Sequence, residues 1–439
     1  MQTYLSLGSN LGDRRDNLRQ AIELLGGAAV DVRRVSPVVE SPALLPAGAP
    51  ADWNLPYLNL VLECEAAMDP EQLRASAKQI ERSLGRGPAG RWAPRPMDID
   101  ILLWGDREFR SETLTIPHPS THRRNFVLTP LVALQPGLEI DAQGSRKTAL
   151  EWSRELPSHI PLWMGIINVT PDSFSDGGRF MEWEAVQTEV EAMTRAGVHI
   201  IDIGAESTRP GGAVPLSPDA EWIRLEPVLQ ELLTLLRADR LSPLVSVDTY
   251  HPTTARRALD LGADIINDVT GLTNPEMVEL AQASRSDWIA MHSLTIPADL
   301  GRTLPAGSEA VELVDTWLLE RIASWSKAGL DLNRIIFDPG IGFGKDALQS
   351  LDLLRSAGEF RRHGLRVLVG HSRKSFLKSF TPLGLVDKDL ATTGASLSLC
   401  QQGVDILRVH NVPMHAASFR GYSHVLGHRR SNGSFSCSE

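Results

Sequence analysis

Cysteine is nearly missing from this chain of 439 residues: Cys64, Cys400 and Cys437 lie far apart, and none belongs to a CxxC pair. That excludes a disulfide scaffold and a cysteine-based zinc cluster, and it fits a reducing compartment. A long basic run is missing too. Forty-four Lys plus Arg stand against 54 Asp plus Glu, a formal charge of −10. Affinity for a polyanion comes from clustered cations meeting phosphates, so no nucleic-acid partner is expected. Anionic small substrates would need local Arg and Lys groupings that overcome the global field. No apolar stretch is long enough to span a bilayer, and the start MQTYLSLGSN lacks the basic-then-apolar layout of a secretory signal. The expectation is a cytoplasmic protein without a membrane partner.

Among what is present, 42% hydrophobic residues suffice to offset the entropy of ordering, so global disorder is excluded. The length calls for two domains. Turn-formers cluster at Leu156, Pro157, Ser158 and Pro161, and the sequence changes character there. The expected division is a first domain over 1–155, a linker over 156–162, a second domain over 163–430 and a disordered Ser/Gly-rich tail over 431–439. In the first domain the patterning predicts strands at 4–8, 30–36, 57–64 and 97–103, and helices at 13–25 and 70–84. Strand, helix, strand, strand, helix, strand is the order of a ferredoxin-like α+β layer. The Pro/Gly-rich segments 37–56 and 85–96 are too long for structural turns, which points to functional loops.

Beyond the boundary, eight apolar, largely β-branched runs occur at 163–168, 198–203, 244–248, 264–267, 287–291, 334–338, 366–370 and 405–410, separated by segments that can hold helices. That alternation predicts a (β/α)8 TIM barrel, with a doubly wound open sheet as the alternative. Each run ends in polar or ionisable residues: Asn168; Asp202 with Glu206; Asp248; Asn267 and Asp268; His292; Asp338; His371 to Lys374; and Arg408 with His410. Any one of them could simply cap the next helix. Together they would converge at the C-terminal face, where barrels build active sites. Arg373, Lys374, Arg408 and His410 suit a phosphorylated group, while Asp248, Asn267 and Asp338 suit the edge of a polar heterocycle. Asp202 and Glu206 read as capping residues. The Gly/Pro-rich segments after the first two strands read as mobile lids.

At this point the motifs match a family. INVTPDSFSDGG, DIGAESTRPGG, SVDT, INDVTG, DPGIGFGK, GHSRKSFL and RVHNV closely resemble dihydropteroate synthase, in the family's order over almost all of 163–430. The resemblance implies condensation of 6-hydroxymethyl-7,8-dihydropterin pyrophosphate with 4-aminobenzoate, releasing pyrophosphate. It also implies that Asp248, Asn267 and Asp338 hold the pterin with Phe343 and Lys374 nearby. Asn168, Arg408 and His410 would bind pyrophosphate and one Mg²⁺, and Ser375 the aminobenzoate carboxylate. Phe174, Asp176, Thr208, Arg209 and Pro210 would form the closing loops. The family pattern further implies a homodimer and sensitivity to sulfonamides. Relatives often carry Met-His-Met-Gln where this chain reads Met291-His292-Ser293-Leu294.

In the first domain, alternation along 97–103 puts Asp98 and Asp100 on one strand face, about 7 Å apart, a plausible clamp for hard divalent cations. An ordinary edge strand with a solvated polar face is the plain alternative. Arg86, Arg91, Trp92 and Arg95 precede the pair, and His118, Arg123 and Arg124 follow it. Metal ligands beside mobile cations suit transfer from a nucleoside triphosphate. Residues 1–155 resemble 6-hydroxymethyl-7,8-dihydropterin pyrophosphokinase through LSLGSNLGDR, SPALLP, PYLNLVLE, RWAPRPMDIDIL and IPHPSTHRRNFVLTPL. The match implies transfer from ATP, with AMP leaving and two Mg²⁺ on Asp98 and Asp100. Ser41, Pro42, Leu44, Tyr57, Asn59 and Phe126 would hold the pterin. Glu81, Arg86, Trp92, Arg95, His118 and Arg124 would serve the nucleotide or the transfer. Some relatives carry a further Arg where this chain reads Gly87-Pro88-Ala89-Gly90.

Two other readings stay open: a corrinoid-linked methyltransferase barrel, and a fusion in which one half only scaffolds the other. The segment Gly340 to Asp346 suggests a nucleotide loop but lacks the Ser or Thr that must follow the Lys. The apolar, Ala/Gly/Ser-rich stretch 390–404 is too short to span a membrane and reads as a buried barrel helix.

Overall fold

The computed structural model describes every residue except 88, 89, 91, 170–177, 207–214, 300, 380–383 and 431–439. The expected tail and both expected lids, with Phe174, Asp176, Thr208, Arg209 and Pro210, therefore lie outside the described residues. The chain forms two compact units, one comprising Met1–Ile160 with the chain from Ser418, the other Pro161–Ala417.

In the first unit β1 (Gln2–Ser9), α1 (Arg14–Gly27), β2 (Val30–Val35), β3 (Val39–Ser41), β4 (Tyr57–Ala66), α2 (Pro70–Ser83) and β5 (Asp98–Trp104) follow in order. The sheet runs β2-β4-β1-β5 and is antiparallel throughout, with β3 paired to β4, which is the ferredoxin-like layer expected. Both main helices start as their sequences dictate. Asp13 accepts from the Asp16 amide, and Asp69 and Gln72 form a capping box ahead of Pro70. Leu5, Leu7, Leu60 and Leu62 are fully buried on the face that α1 and α2 cover.

The opposite face has a cover that patterning did not predict. β6 (Phe109–Arg110), β7 (Thr115–Ile116), α3 (Asn125–Leu134), β8 (Glu139–Ala142), β9 (Ser145–Thr148) and α4 (Ala149–Arg154) complete the unit. Tyr4, Val61 and Leu102 of the sheet join Leu128, Leu131 and Trp152 in one core. Every residue of α3 from Val127 to Leu134 is buried. A helix apolar all round has no 3.6-residue stripe to betray it.

The second unit is a closed barrel of eight parallel strands: β10 (Leu162–Asn168), β11 (Ile200–Gly204), β12 (Leu244–Asp248), β13 (Ile265–Asp268), β14 (Asp287–Met291), β15 (Ile335–Asp338), β16 (Arg366–Val369) and β17 (Ile406–Val409). β17 pairs with β10 to close the ring. The helices α5 (Gly178–Ala196), α6 (Pro218–Arg237), α7 (Pro252–Leu261), α8 (Pro275–Ala283), α9 (Ala310–Lys327), α10 (Ala347–Arg355), α11 (Leu385–Gln401) and α12 (Val412–Arg430) alternate with the strands. All eight strands fall within about two residues of the predicted runs, because doubly buried parallel strands are continuous apolar stretches. Helix α11 matches the expected barrel helix, with one difference. Its buried residues include Asp389, Thr392, Thr393 and Ser396, whereas Leu385, Val386 and Leu390 are exposed.

Candidate active sites

Antiparallel register builds the first site. Asn59 on β4, Gly8 on β1 and Asp98 on β5 stand in one row across three neighbouring strands, and Ser6 faces Asp100 in the next row. Cross-strand partners share a sheet face, so these side chains project together. Gly8 keeps the middle of the row open: a Cβ there would lie 3.2 Å from Asn59 Oδ1 and 3.5 Å from the Tyr57 ring. Over the row lies a cavity of about 270 Å³. Its walls bring together Ser41, Pro42, Leu44, Tyr57, Asn59, Arg86, Trp92, Arg95, Asp98, Asp100, His118, Arg124 and Phe126, all predicted members of this site. Lys78 and Ser6 also line it and were not foreseen.

Charge within the cavity is paired. Asp98 accepts from Arg86 at 2.6 Å and from Arg95 at 3.4 Å, and Asp100 lies 3.5 Å from Arg124 and 4.0 Å from His118. Burial opposes ionisation of Asp98, but Arg95, Arg86 and Lys78 overcome it and hold the carboxyl below its usual range. Burial lowers the His118 pKa, Asp100 opposing and Arg124 reinforcing the effect. Asn59 donates to Ser41 Oγ at 3.0 Å, and the Arg124 guanidinium stands 5.7 Å over the Phe126 ring. Glu81 does not line the cavity. It is buried behind it, accepting from Lys78 at 2.7 Å, from Arg86 at 2.6 Å and from the Ile99 amide at 2.8 Å. This carboxylate orients two cations and anchors the strand that carries both aspartates.

At the barrel's C-terminal rim, Arg408 ties four strands together. Its Nε donates to Asp202 Oδ2 at 2.6 Å and its Nη2 to Asp248 Oδ2 at 2.7 Å, while Asn267 Nδ2 donates to the same Asp202 oxygen at 3.2 Å. Asp202 is fully buried. The reading of Asp202 as a cap is thus corrected: it holds two site residues from below. Glu206 accepts from the Tyr250 hydroxyl at 2.7 Å. The empty side of Gly370 faces both Asp338 Oδ2 and Arg408, at 3.6 and 3.8 Å from where a Cβ would sit. Lys374 donates to the Ile341 carbonyl and stands 4.5 Å over the Phe343 ring. His410 pairs through Nδ1 with Ser372 Oγ at 2.9 Å. Asn168, at the end of β10, is in register with Gly204, whose own empty side abuts Asp248. Ser375 is exposed and opens a five-residue 3-10 helix. Arg373 is bound in bidentate fashion by Asp389, at 2.6 and 2.8 Å.

Burial pushes the Asp248 carboxyl up to about 7; Arg408 opposes this, and Asp202, Glu221 and Asp268 add to it. From about 3.8 to about 7 the folded chain keeps a proton that the unfolded chain has released. The group's stabilising contribution is therefore fully present below that window and is lost as pH rises through it. Asp248→Asn is expected to flatten the pH dependence of the urea midpoint of the intact chain between about pH 4 and 7. Equal slopes for variant and wild type would refute this assignment.

Paired carboxylates among cations in one unit, and a barrel rim of carboxylates, amide and cations in the other, fit a two-site transferase acting on anionic substrates. Residues 4–136 match the model of 7,8-dihydro-6-hydroxymethylpterin-pyrophosphokinase, and residues 164–410 that of the pterin binding enzymes. The "Folate synthesis bifunctional protein" of Chlamydia caviae is 38% identical over 423 residues, covering 93% of this chain and 94% of its own. A mitochondrial protein of the same description from Arabidopsis thaliana is 32% identical, covering 98% of this chain and 84% of its own. Among solved structures, dihydropteroate synthase from Anaplasma phagocytophilum, with bound 6-hydroxymethylpterin-monophosphate, superposes with a TM-score of 0.55 at 38% identity, over 61% of this chain and 99% of that one. The Xanthomonas albilineans enzyme with 4-aminobenzoic acid gives 0.55 at 32% identity, over 66% and 98%.

The chain belongs to the bifunctional folate-synthesis proteins. It is a transferase that carries out pterin pyrophosphorylation and then condensation, and both of its families are generally magnesium-dependent. Among the described residues, no helix is long and apolar enough to cross a membrane.

Proposed function

We propose that the first site transfers the β,γ-pyrophosphoryl group of ATP to 6-hydroxymethyl-7,8-dihydropterin, and that the barrel joins the product to 4-aminobenzoate. The observation that carries the first half is the row Asn59, Gly8, Asp98: an amide for the pterin edge beside a carboxylate for the triphosphate, with an open glycine between them.

In the first reaction the pterin lies against Tyr57, Asn59 and Phe126, which present its hydroxyl to the β-phosphorus. The new bond is oxygen to β-phosphorus; the bond from β-phosphorus to the bridging oxygen breaks, AMP carries that oxygen away, and the hydroxyl proton is released. Arg86, Arg95, Arg124 and Lys78 neutralise charge on the moving phosphates. Asp98 and Asp100 supply hard oxygen ligands on one face. Two carboxylates would leave the remaining ligand positions to phosphate and water, a donor set that suits Mg²⁺. Bound there, Mg²⁺ would draw off negative charge from the triphosphate. We assign two ions to this site and one to the barrel, where the Asn168 carboxamide offers a single hard oxygen.

In the barrel, Asp248, Asn267 and Asp338 grip the pterin edge, and Phe343 and Lys374 flank it. The methylene carbon–oxygen bond breaks with both electrons leaving on pyrophosphate, which Arg408 and His410 receive. The aromatic amine of aminobenzoate then bonds to that carbon and loses a proton, so no strong base is needed. Ser375 takes the aminobenzoate carboxylate.

A coupled assay tests the whole reading: intact chain with ATP, Mg²⁺, hydroxymethyldihydropterin and 4-aminobenzoate should yield AMP and dihydropteroate. Failure to release AMP, or to form dihydropteroate from supplied pterin pyrophosphate, would refute the corresponding half. Asp202→Asn is expected to cut kcat/KM of the condensation about 30-fold, since one partner of a buried charge pair is lost. Retention of more than half the activity would remove Asp202 from the site.

The chain is proposed to act as a homodimer through the barrel. Leu348 of α10 and Leu385, Val386 and Leu390 of α11 are apolar and more than half exposed, on helices that pack together. Light scattering of the intact chain decides it.

A further inference from the structure

Two residues stand outside the reactions so far: Lys345, in the glycine-rich segment Gly340 to Asp346 that resembles a nucleotide loop without being one, and His292, which follows β14. They touch. Lys345 is 6% exposed, its Nζ lies 2.6 Å from His292 Nδ1, and it donates to the His292 carbonyl at 2.9 Å. Gly340 has φ +67°, and a Cβ there would come within 1.9 Å of that same carbonyl oxygen. Only glycine lets the loop pass so close.

Burial, with Lys345 next to it, pushes His292 down to about 3, so the ring is neutral and Nδ1 is free to accept from the amine. Burial also drives the Lys345 amine well below its ordinary range, Asp338 opposing and Lys374 reinforcing the shift. Placing an amine in such a spot costs more than an apolar side chain of equal length would, so its two bonds to His292 need a reason beyond stability.

The other side of the loop supplies it. The Gly340 amide donates to Asp338 Oδ1 at 2.7 Å, the Phe343 amide to the Gly340 carbonyl at 3.0 Å, and the Ile341 carbonyl accepts from Lys374, which stands over the Phe343 ring. Gly340, Gly342 and Gly344 all have positive φ, so this loop has much backbone freedom to lose and little of its own to hold it.

We propose that Lys345 is a positioning residue for the condensation: by bonding His292 it fixes the turn over 340–344, and that turn holds Lys374 where the pterin binds. The proposal rests on the assignment of Lys374 to the second site.

The test uses the intact chain, as Lys345→Met, Lys374→Ala and the double variant, each supplied with pterin pyrophosphate and 4-aminobenzoate. Lys345→Met should raise KM for the pterin substrate about tenfold, while kcat and KM for aminobenzoate move less than about threefold. In the Lys374→Ala background the same change should add less than about threefold, because it acts through a lysine already gone. Losses that multiply, or a fall in kcat with both KM values altered alike, would mark Lys345 as merely structural and overturn the proposal. An unaffected condensation in Lys374→Ala would instead refute the site assignment itself. Should Lys345→Met not accumulate as folded protein, His292→Leu replaces it: it is expected to show the same KM split, with His292→Asn largely restoring it. A His292→Leu chain with unchanged kinetics overturns the clamp.

Discussion

Asp98→Ala is expected to lower AMP release from ATP and hydroxymethyldihydropterin at least about a thousandfold, the scale on which phosphoryl transfer depends on a charge-organising group. Three properties of this carboxylate concentrate the effect in one residue. It is held below its usual pKa range, so it is ionised at any working pH. It is the common partner of Arg86 and Arg95, at 2.6 and 3.4 Å. Without it, Arg86 and Arg95 both lose a shared carboxylate partner that holds them in place until the nucleotide arrives. It also shares its row with Asn59, so any shift of the strand misaligns pterin and triphosphate together. Effects of a misplacement of about 1 Å reach a hundredfold in reactions that rely on positioning. The second reaction, run on supplied pterin pyrophosphate, should stay within about twofold of wild type, since its residues belong to a separate compact unit. Asp98→Asn separates charge from shape: it keeps the volume and should still lose most of the activity. AMP release within tenfold of wild type, or loss of both reactions in a folded protein, would be incompatible with the site.

The residues that sequence patterning placed correctly and those it misplaced differ in a physical way. Asp98 and Asp100 were legible because a two-residue period on one strand decides which side chains share a face. The barrel was legible because each of its strands is a single apolar run ended by a polar residue. Asp202 was not legible. An aspartate after an apolar run is what a helix cap looks like, and its partner Arg408 lies 206 residues away, brought close only when the ring closes. Family resemblance ascribes Glu81 to the nucleotide or the transfer, and its oxygens accept from Lys78, Arg86 and the Ile99 amide. Lys78 was passed over because one lysine on an amphipathic helix reads as a solvated residue until the cavity beside it is known. In the same way α11 was expected to be buried by its apolar content. Its polar side faces inward instead, since Asp389 is needed there by Arg373 and Asn411. For Asp202 and for Asp389 the missing information was a partner distant in sequence.

Lys374→Ala should have the converse effect of Asp98→Ala: a loss of about a hundred- to a thousandfold in dihydropteroate formation, the range seen when one preorganised donor is removed from a site of developing charge, with AMP release unchanged. The expectation follows from the charge inventory of the rim. Asp202, Asp248 and Asp338 are met by Arg408, Lys374 and the buried Lys345, and Arg408 is already held by the first two. Burial raises the Asp338 pKa and Lys374 is the largest influence opposing it, so deleting the lysine raises it further. That weakens Asp338 as an acceptor for the N–H donors of a heterocycle edge, and the departing pyrophosphate would meet a rim with one cation fewer. Both changes act on the pterin substrate and neither on aminobenzoate, so the loss should appear in kcat/KM for the first with KM for the second within about threefold of wild type. Lys374→Arg offers the deciding comparison. It restores the charge, but a planar fork cannot reproduce both the Ile341 carbonyl bond and the stance over Phe343. It should therefore recover only part of the activity. Full activity in Lys374→Ala, or a loss confined to aminobenzoate, would remove this lysine from the pterin subsite.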